Sequence, residues 1–214
     1  MKVSNKIAVV VVNWNSGQYL SQCLQNLKNQ TLPPARVLVV DNASTDGSMD
    51  GLEQKFCEWE FIVLAENTGF AVANNRAVHR VTDCDWIAFL NPDAFAHPDW
   101  LEKMMQAVAD YPDVKLFGSH MLGHANKRID GTGDIYHVSG VAWRRDHGMK
   151  SIDIKRKSGE IFSPCAAASL ISKDAFLEAG GFDEHFFCYN EDVDLSFRLR
   201  LQGHRCIYVA DAMV

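Results

Sequence analysis

The chain has 214 residues, 47% of them hydrophobic, and 27 acidic against 21 basic side chains give a formal net charge of −6. That content suits one domain with a full core and excludes disorder, and without a basic block general binding to nucleic-acid phosphates is disfavoured. Six cysteines, Cys23, Cys57, Cys84, Cys165, Cys188 and Cys206, form no Cys-x-x-Cys pair. A disulfide framework and a structural zinc site are therefore excluded, and reduced, mostly buried thiols are expected.

After Met1 to Lys6 the apolar run Ile7 to Val12 is too short for a signal-peptide core or for a membrane span of about 20 residues, so a cytoplasmic location is expected. The run is β-branched and continuously apolar, the signature of a strand buried on both faces of a parallel sheet. Ser16 and Gly17 turn the chain, and Leu20, Cys23, Leu24 and Leu27 mark one face of a helix. The strand-helix unit then repeats: Val37 to Val40 with a helix from Ser48 to Phe56, Phe61 to Leu64 with a helix from Phe70 to Val81, and Trp86 to Leu90 with a helix from Asp99 to Ala109. This alternation predicts an α/β fold with a mostly parallel central sheet flanked by helices, and right-handed crossovers bring the four strand ends to one side. Ligands bind outside the carboxyl ends of the strands in such sheets, where Asn13, Asp41, Asn67 and Asn91 to Asp93 stand.

From Gly118 to Glu160 the periodicity fades, which predicts a loop-rich flap or a few irregular strands over the site. Within it Gly118-Ser119-His120-Met121 spells a common affinity-tag remnant but follows an apolar run and reads as native sequence. Order returns at Ile161 to Ile171, followed by a short helix from Lys173 to Ala179, a glycine turn with acids at Gly180 to Glu184, a helix from Asp192 to Gln202 and a strand-like stretch from Cys206 to Ala210. The chain stops soon after, at Val214, with no polar tail, and is expected to be cut short there.

Several turns carry chemistry. Asp41, with Asn42 and Asp46, can accept hydrogen bonds from a base or ribose, or can simply close a turn through Asx bonds. Gly69, between Asn67 and Asn74, leaves room for a ring or a diphosphate to approach the backbone. Asn91-Pro92-Asp93 presents an amide and a carboxylate at a strand end, which suits a Mg²⁺ or Mn²⁺ ion held by one or two carboxylates plus substrate phosphates, with Asp93 as the ligand; a Pro-Asp turn is the plain alternative. Glu191, Asp192 and Asp194 open a helix with more acid than capping needs. Asp194 can pair with Arg198 at i,i+4, which frees Asp192 as a general base. Trp143 and Arg144 can stack on a sugar and hold a phosphate, or anchor the flap. His120, His124, His137 and His147 match no zinc spacing and read as solvated loop residues, and His185 and His204 as structural ones.

Taken together, Val9 to Asn15, Val39 to Gly47, Asn67 to Ala71, Leu90 to Asp93 and Asn190 to Asp194 resemble, in order and spacing, the inverting family 2 glycosyltransferases of GT-A fold. The resemblance runs from Ile7 nearly to Val214 and is strongest to bacterial rhamnosyltransferase-like members, which build lipopolysaccharide, O-antigen and related cell-surface glycans. It implies one GT-A domain over residues 1–214, with a nucleotide-sugar half at 1–118 and an acceptor-binding, catalytic half at 119–214. It implies Asp41 as a contact to the nucleotide base, Gly69 and Asn74 in the nucleotide pocket, Asp93 as the metal-binding acid of an Asp-x-Asp motif and Asp192 as general base, with Glu191 beside it. Asn91 departs from the family's acid at that position, and a metal-binding His that many members carry beyond the last strand lies past Val214. The implied reaction moves a sugar, rhamnose among the candidates, from a UDP- or dTDP-sugar to a glycan or lipid-linked acceptor at the inner membrane face, with inversion. The segment from Cys165 to Leu170 and the flap with Trp143 would line the acceptor side.

The rival readings are weaker. A nicotinamide dehydrogenase needs a Gly-x-Gly-x-x-Gly turn after the first strand, where this chain has Asn13-Trp14-Asn15-Ser16-Gly17. A sugar nucleotidyltransferase needs a glycine-rich basic first loop. A non-catalytic sugar-binding fragment with the same fold is the third alternative.

Overall fold

A computed structural model describes residues 6–123 and 128–214, so His124 and the first five residues lie outside the described residues. The chain alternates β1 (Ile7–Asn13), α1 (Gln18–Lys28), β2 (Arg36–Asp41), α2 (Leu52–Lys55), β3 (Glu60–Val63), α3 (Gly69–His79), β4 (Trp86–Leu90) and α4 (Trp100–Asp110). It continues through β5 (Leu116–Leu122), β6 (Ile129–Gly131), β7 (Asp134–Tyr136), β8 (Ala142–Arg144), β9 (Gly159–Ile161), β10 (Ala168–Ser172), α5 (Lys173–Glu178), α6 (Glu191–Leu201) and β11 (Cys206–Met213). Among the described residues the main sheet runs β3-β2-β1-β4-β10-β5-β11-β9, with β6 paired to β5 and with β7 and β8 forming a separate hairpin.

Strands β1 to β4 are parallel, as the apolar runs predict: Val9 stands beside Val37 and Ala88, and Asn13 beside Asp41. Alternate side chains feed two cores. Val9 and Val11 share one face with Leu20, Leu24 and Leu27 of α1 and with Trp100, Leu101 and Met104 of α4, while Ala8 and Val10 share the other with Ala71, Ala77 and Val78 of α3 and with Leu195 and Leu199 of α6. Each fully buried Leu or Val contributes about 1.5–3 kcal/mol, so the sheet edge that carries the polar turns rests on the most apolar part of the molecule.

Several expectations meet a different structure. The helix expected over Ser48–Phe56 shrinks to the single turn of α2, because Gly51 adopts a left-handed φ of 72° that a continuous helix cannot contain. The segment expected to be irregular from Gly118 holds β5, a central strand whose apolar pattern is broken by Gly118, Ser119 and His120. Each of these residues is built into the fold: Gly118 faces Pro164 where a Cβ would come within 2.8 Å, Ser119 Oγ accepts from Trp100 Nε1 at 2.9 Å, and His120 Nδ1 meets the Tyr208 hydroxyl at 2.5 Å. His120 is therefore a half-buried strand residue, not a loop one. The cysteines are all free, yet Cys57 and Cys188 are exposed and only Cys23, Cys84 and Cys206 are fully buried. The expected division after residue 118 falls inside β5, so both halves share one sheet. No helix among the described residues is long and apolar enough to cross a membrane.

One element sets the geometry of the site. β10 runs antiparallel between β4 and β5, with Leu170 beside both Ala88 and Phe117. The chain therefore leaves β5, forms the β7–β8 hairpin over the strand ends and returns through Cys165–Ala167 alongside the end of β4, where Asn91 N donates to Ala167 O at 2.9 Å.

Candidate active site

The strand ends carry two connected polar structures. The first is a hydrogen-bonded wall around β1 and β2. Asn13 is fully buried, and its amide nitrogen reaches Asp41 Oδ1 at 2.9 Å, Ser44 Oγ at 3.0 Å and Ser48 Oγ at 2.9 Å. Asp41 Oδ2 accepts from Ser44 N at 3.2 Å, and Asp46 Oδ2 accepts from Gly17 N at 2.8 Å, which ties the loop after β2 to the start of α1. Asn42 continues the wall, accepting from Thr68 N and donating to Asn67 Oδ1 and Gly69 O. Asn74, also buried, donates to Phe70 O within its own helix. These side chains shape the loops and are satisfied within the protein.

The second structure is a cavity of about 720 Å³. Six of the residues singled out in the sequence line it: Asn91, Asp93, Trp143, Arg144, Glu191 and Asp192; Asn13, Asp41, Asn67, Gly69 and Asn74 do not. Asp93 closes the turn after β4, in which Ala94 N donates to Asn91 O at 3.0 Å, and its exposed carboxylate makes no hydrogen bond to a described residue. The described residues hold no group of three His, Cys, Asp or Glu side chains that could cage a metal. One exposed, unshared carboxylate is still the donor set that fits a Mg²⁺ or Mn²⁺ ion whose other ligands are water and phosphate oxygens.

Asp192 sits in a cradle. Its Oδ2 accepts from Ala166 N at 2.9 Å and its Oδ1 from Val193 N at 2.8 Å. Burial raises its pKa, against the opposing pull of those two amides and of Arg144, and a raised proton affinity is what a general base near neutrality needs. Glu191, next to it, is 5% exposed with Oε2 buried and unpartnered, and burial pushes it up to about 7. Asp194 is the structural member of the trio: Arg198 pairs with its Oδ2 at 2.7 Å and donates to Gly181 O at 2.8 Å, which fixes the glycine turn before α6.

The cradle is held in place from α3. The close approach that Gly69 permits is made by Phe187: Phe70 N donates to Phe187 O at 2.7 Å, and a Cβ on Gly69 would lie 2.4 Å from that oxygen. Asn75 grips the same segment further back, donating to Phe182 O at 2.8 Å and accepting from Phe182 N at 3.0 Å. Tyr189 and Asn190, both with left-handed φ near 70–75°, then swing the chain into α6. Neither Asn75 nor the Phe187 contact carries a motif; the clue in the sequence was the spacing of Gly69 itself.

The flap supplies the remaining wall. Arg144 donates to Asp130 Oδ2 at 2.5 Å and to Cys165 Sγ at 2.9 Å. Trp143 lies beside it, 47% exposed at the cavity mouth. Cys165 and Ala166 line the cavity, whereas Leu170 is fully buried in β10. Asp134, which no motif marks, also lines the cavity; burial and the nearby Asp192 push it up to about 7, against the pull of Arg144.

The chain is similar to known proteins. Over 97% of the chain it is 27% identical to the pre-mycofactocin glycosyltransferase of Mycobacterium tuberculosis, covering 42% of that protein. It is also 27% identical, over 99% of the chain and 76% of the relative, to the N-acetylglucosaminyl-diphospho-decaprenol L-rhamnosyltransferase of the same organism. Among solved structures, S. aureus TarS superposes over 96% of the chain and 35% of its own length with a TM-score of 0.73 at 18% identity. The Pyrobaculum calidifontis mannosyltransferase PcManGT, solved with GDP-Man and Mn²⁺, superposes over 97% of the chain and 55% of its own length with a TM-score of 0.71 at 18% identity. These likenesses identify the GT-A fold. The sequence model described as Glycosyl transferase family 2 matches residues 8–180, and the chain belongs to glycosyl transferase family 2.

Proposed function

We propose that the chain moves a sugar, with rhamnose the first candidate, from a nucleotide-diphosphate sugar to a lipid-linked or free glycan acceptor, with inversion, in cell-surface polysaccharide synthesis. One observation carries the reading: the exposed, unshared carboxylate of Asp93 and the cradled carboxylate of Asp192 line the same cavity. The rhamnosyltransferase relative, named for a decaprenol-linked acceptor, supports a lipid-linked acceptor, and the neighbours solved with UDP and with GDP-Man support a nucleotide-diphosphate donor; a UDP- or dTDP-sugar and peripheral contact with the inner membrane face complete the proposal.

In this mechanism the acceptor hydroxyl enters from the flap side, between Trp143 and Asp192. Asp192 takes its proton as the oxygen attacks the anomeric carbon, the bond from that carbon to the diphosphate oxygen breaks, and configuration inverts. The Ala166 and Val193 amides hold the carboxylate in a single orientation, which preserves the line of attack. Glu191 stands beside the base, buried and with Oε2 unpartnered. Asp93 would hold Mg²⁺ or Mn²⁺, which when bound would supply positive charge to the departing diphosphate. The Asn13–Asp41 wall fixes the loops against which the nucleotide lies.

Calorimetry with UDP, dTDP and GDP in the presence of Mn²⁺, followed by a screen of the matching sugar donors, tests the reading. Asp192→Asn is expected to keep donor affinity and to lose about 10²–10⁴-fold in transfer rate. Full turnover by that variant would remove Asp192 from its role, and an absence of heat with every nucleotide would remove the transferase reading itself.

A further inference from the structure

The reaction as derived leaves Asp134 without a task. The residue starts β7 in register with Arg144 on β8, and its side chain is only 9% exposed, lining the same cavity as Asp192. No described residue donates a hydrogen bond to its carboxyl group. The adjacent guanidinium does not meet that need, because Arg144 directs its two terminal nitrogens to Asp130 and to Cys165. Its oxygens are not sealed in protein, since Glu191 Oε2 is the one enclosed and unpartnered side-chain oxygen or nitrogen among the described residues. The carboxyl therefore opens onto the cavity, where it can meet what enters.

Asp134 and Asp192 are also mounted on one support. Ser163 is fully buried; its carbonyl accepts from Asp134 N at 2.7 Å, and its hydroxyl lies 3.0 Å from Pro164 O and 3.4 Å from Asp192 O and accepts from Ser196 Oγ at 3.0 Å. The backbones that carry the two carboxyls are thus tied to one residue, as a site needs when it must read the shape of a ligand. A metal ion suits Asp134 poorly, since the positive charge of Arg144 stands beside it and the described residues offer no three-ligand group. A sugar hydroxyl suits it well: it is a neutral donor, and a sugar whose one hydroxyl reaches Asp192 carries others next to it.

We propose that Asp134 is a specificity-determining residue of the acceptor side, taking a hydrogen bond from a hydroxyl adjacent to the one that Asp192 deprotonates, so that the acceptor is a sugar with neighbouring free hydroxyls. The proposal rests on the transferase reading given above. It adds that acceptor choice is made by a carboxyl on the flap and not by the sheet.

Saturation-transfer NMR tests it, with and without UDP or dTDP and Mn²⁺. The probes are the methyl glycosides of glucose, N-acetylglucosamine, galactose, mannose and rhamnose, together with their monodeoxy analogues. The expected result is that at least one glycoside binds the unmodified protein, that loss of one hydroxyl weakens it by about 10-fold or more, and that Asp134→Asn binds parent and deoxy analogue alike while nucleotide affinity stays the same. The proposal is overturned if no glycoside binds, if every deoxy analogue binds as its parent does, or if Asp134→Asn discriminates as the unmodified protein does. The deoxy series on the unmodified protein decides the matter even if the variant fails to fold. A failure of nucleotide binding, measured in the same samples, sinks the transferase reading separately.

Discussion

Asp134→Asn also makes a sharp prediction for stability, because it removes a buried acid without changing its shape. In the folded protein the carboxyl is pushed up to about 7, from an ordinary value of 3.8, by burial first and then by Asp192. Below pH about 4 the group is protonated in both the folded and the unfolded chain, so it costs nothing. Between about 4 and 7 the unfolded chain releases its proton and the folded one retains it, so stability falls as pH rises and levels off above the folded value. A displacement from 3.8 to about 7 corresponds to about 4 kcal/mol. For a chain of this size that is about 8–16 °C in melting temperature. The variant should therefore match the unmodified protein near pH 4 and exceed it by up to that amount at pH 8. The contribution of Glu191 is present in both proteins and cancels in the difference. Urea unfolding of the two proteins at intervals from pH 4 to pH 8.5 reads the effect directly. Two stability curves that stay parallel across the range would show that Asp134 is not held in a charge-averse position.

Three further substitutions probe the parts that hold the site together. Gly69→Ala places a Cβ 2.4 Å from Phe187 O at a φ of +82° and should cost more than about 1–2 kcal/mol in urea unfolding, with transfer slowed because the segment leading to Asp192 is displaced; a loss under about 0.5 kcal/mol would refute the contact. Asn13→Ala leaves Asp41, Ser44 and Ser48 without their shared donor and should cost about 1–3 kcal/mol, accompanied by weaker nucleotide binding in calorimetry. Asp93→Ala, in contrast, should leave unfolding unchanged within about 0.5 kcal/mol, since its carboxylate is exposed and unshared, while abolishing the gain in nucleotide affinity that Mn²⁺ provides; an unchanged Mn²⁺ effect would reassign the metal site.

The first four strands were legible because each is an unbroken apolar run, and a buried parallel strand has no other way to be written. β5 was not, because Gly118, Ser119 and His120 serve particular neighbours, Pro164, Trp100 and Tyr208, that lie far away in sequence. Nor does any local pattern say that β10 runs antiparallel between β4 and β5, since strand direction is decided by the path of the chain. The site divides in the same way. Asp93 and Asp192 could be read because each stands at the start of a turn or helix with a recognisable composition. Asp134 stands in a glycine-rich stretch with no periodicity, and only its pairing with Arg144 and its bond to Ser163 bring it to Asp192. Gly69 was recognisable as a point of close approach, but the partner seated against it in this structure, the Phe187 carbonyl, is more than a hundred residues away.

The reversed strand β10 has a consequence for how such a protein can diversify. The segment between β5 and β10 leaves and re-enters the sheet at adjacent strands, so its two ends are pinned at neighbouring points whatever its length, and the entropy of closing a longer excursion rises only by about 0.6 kcal/mol per doubling. Its part before β9, the edge strand that it lends to the sheet, can be lengthened, shortened or rewritten without disturbing the strands that carry Asp41 and Asp93. The fold behaves as a fixed socket with an interchangeable faceplate.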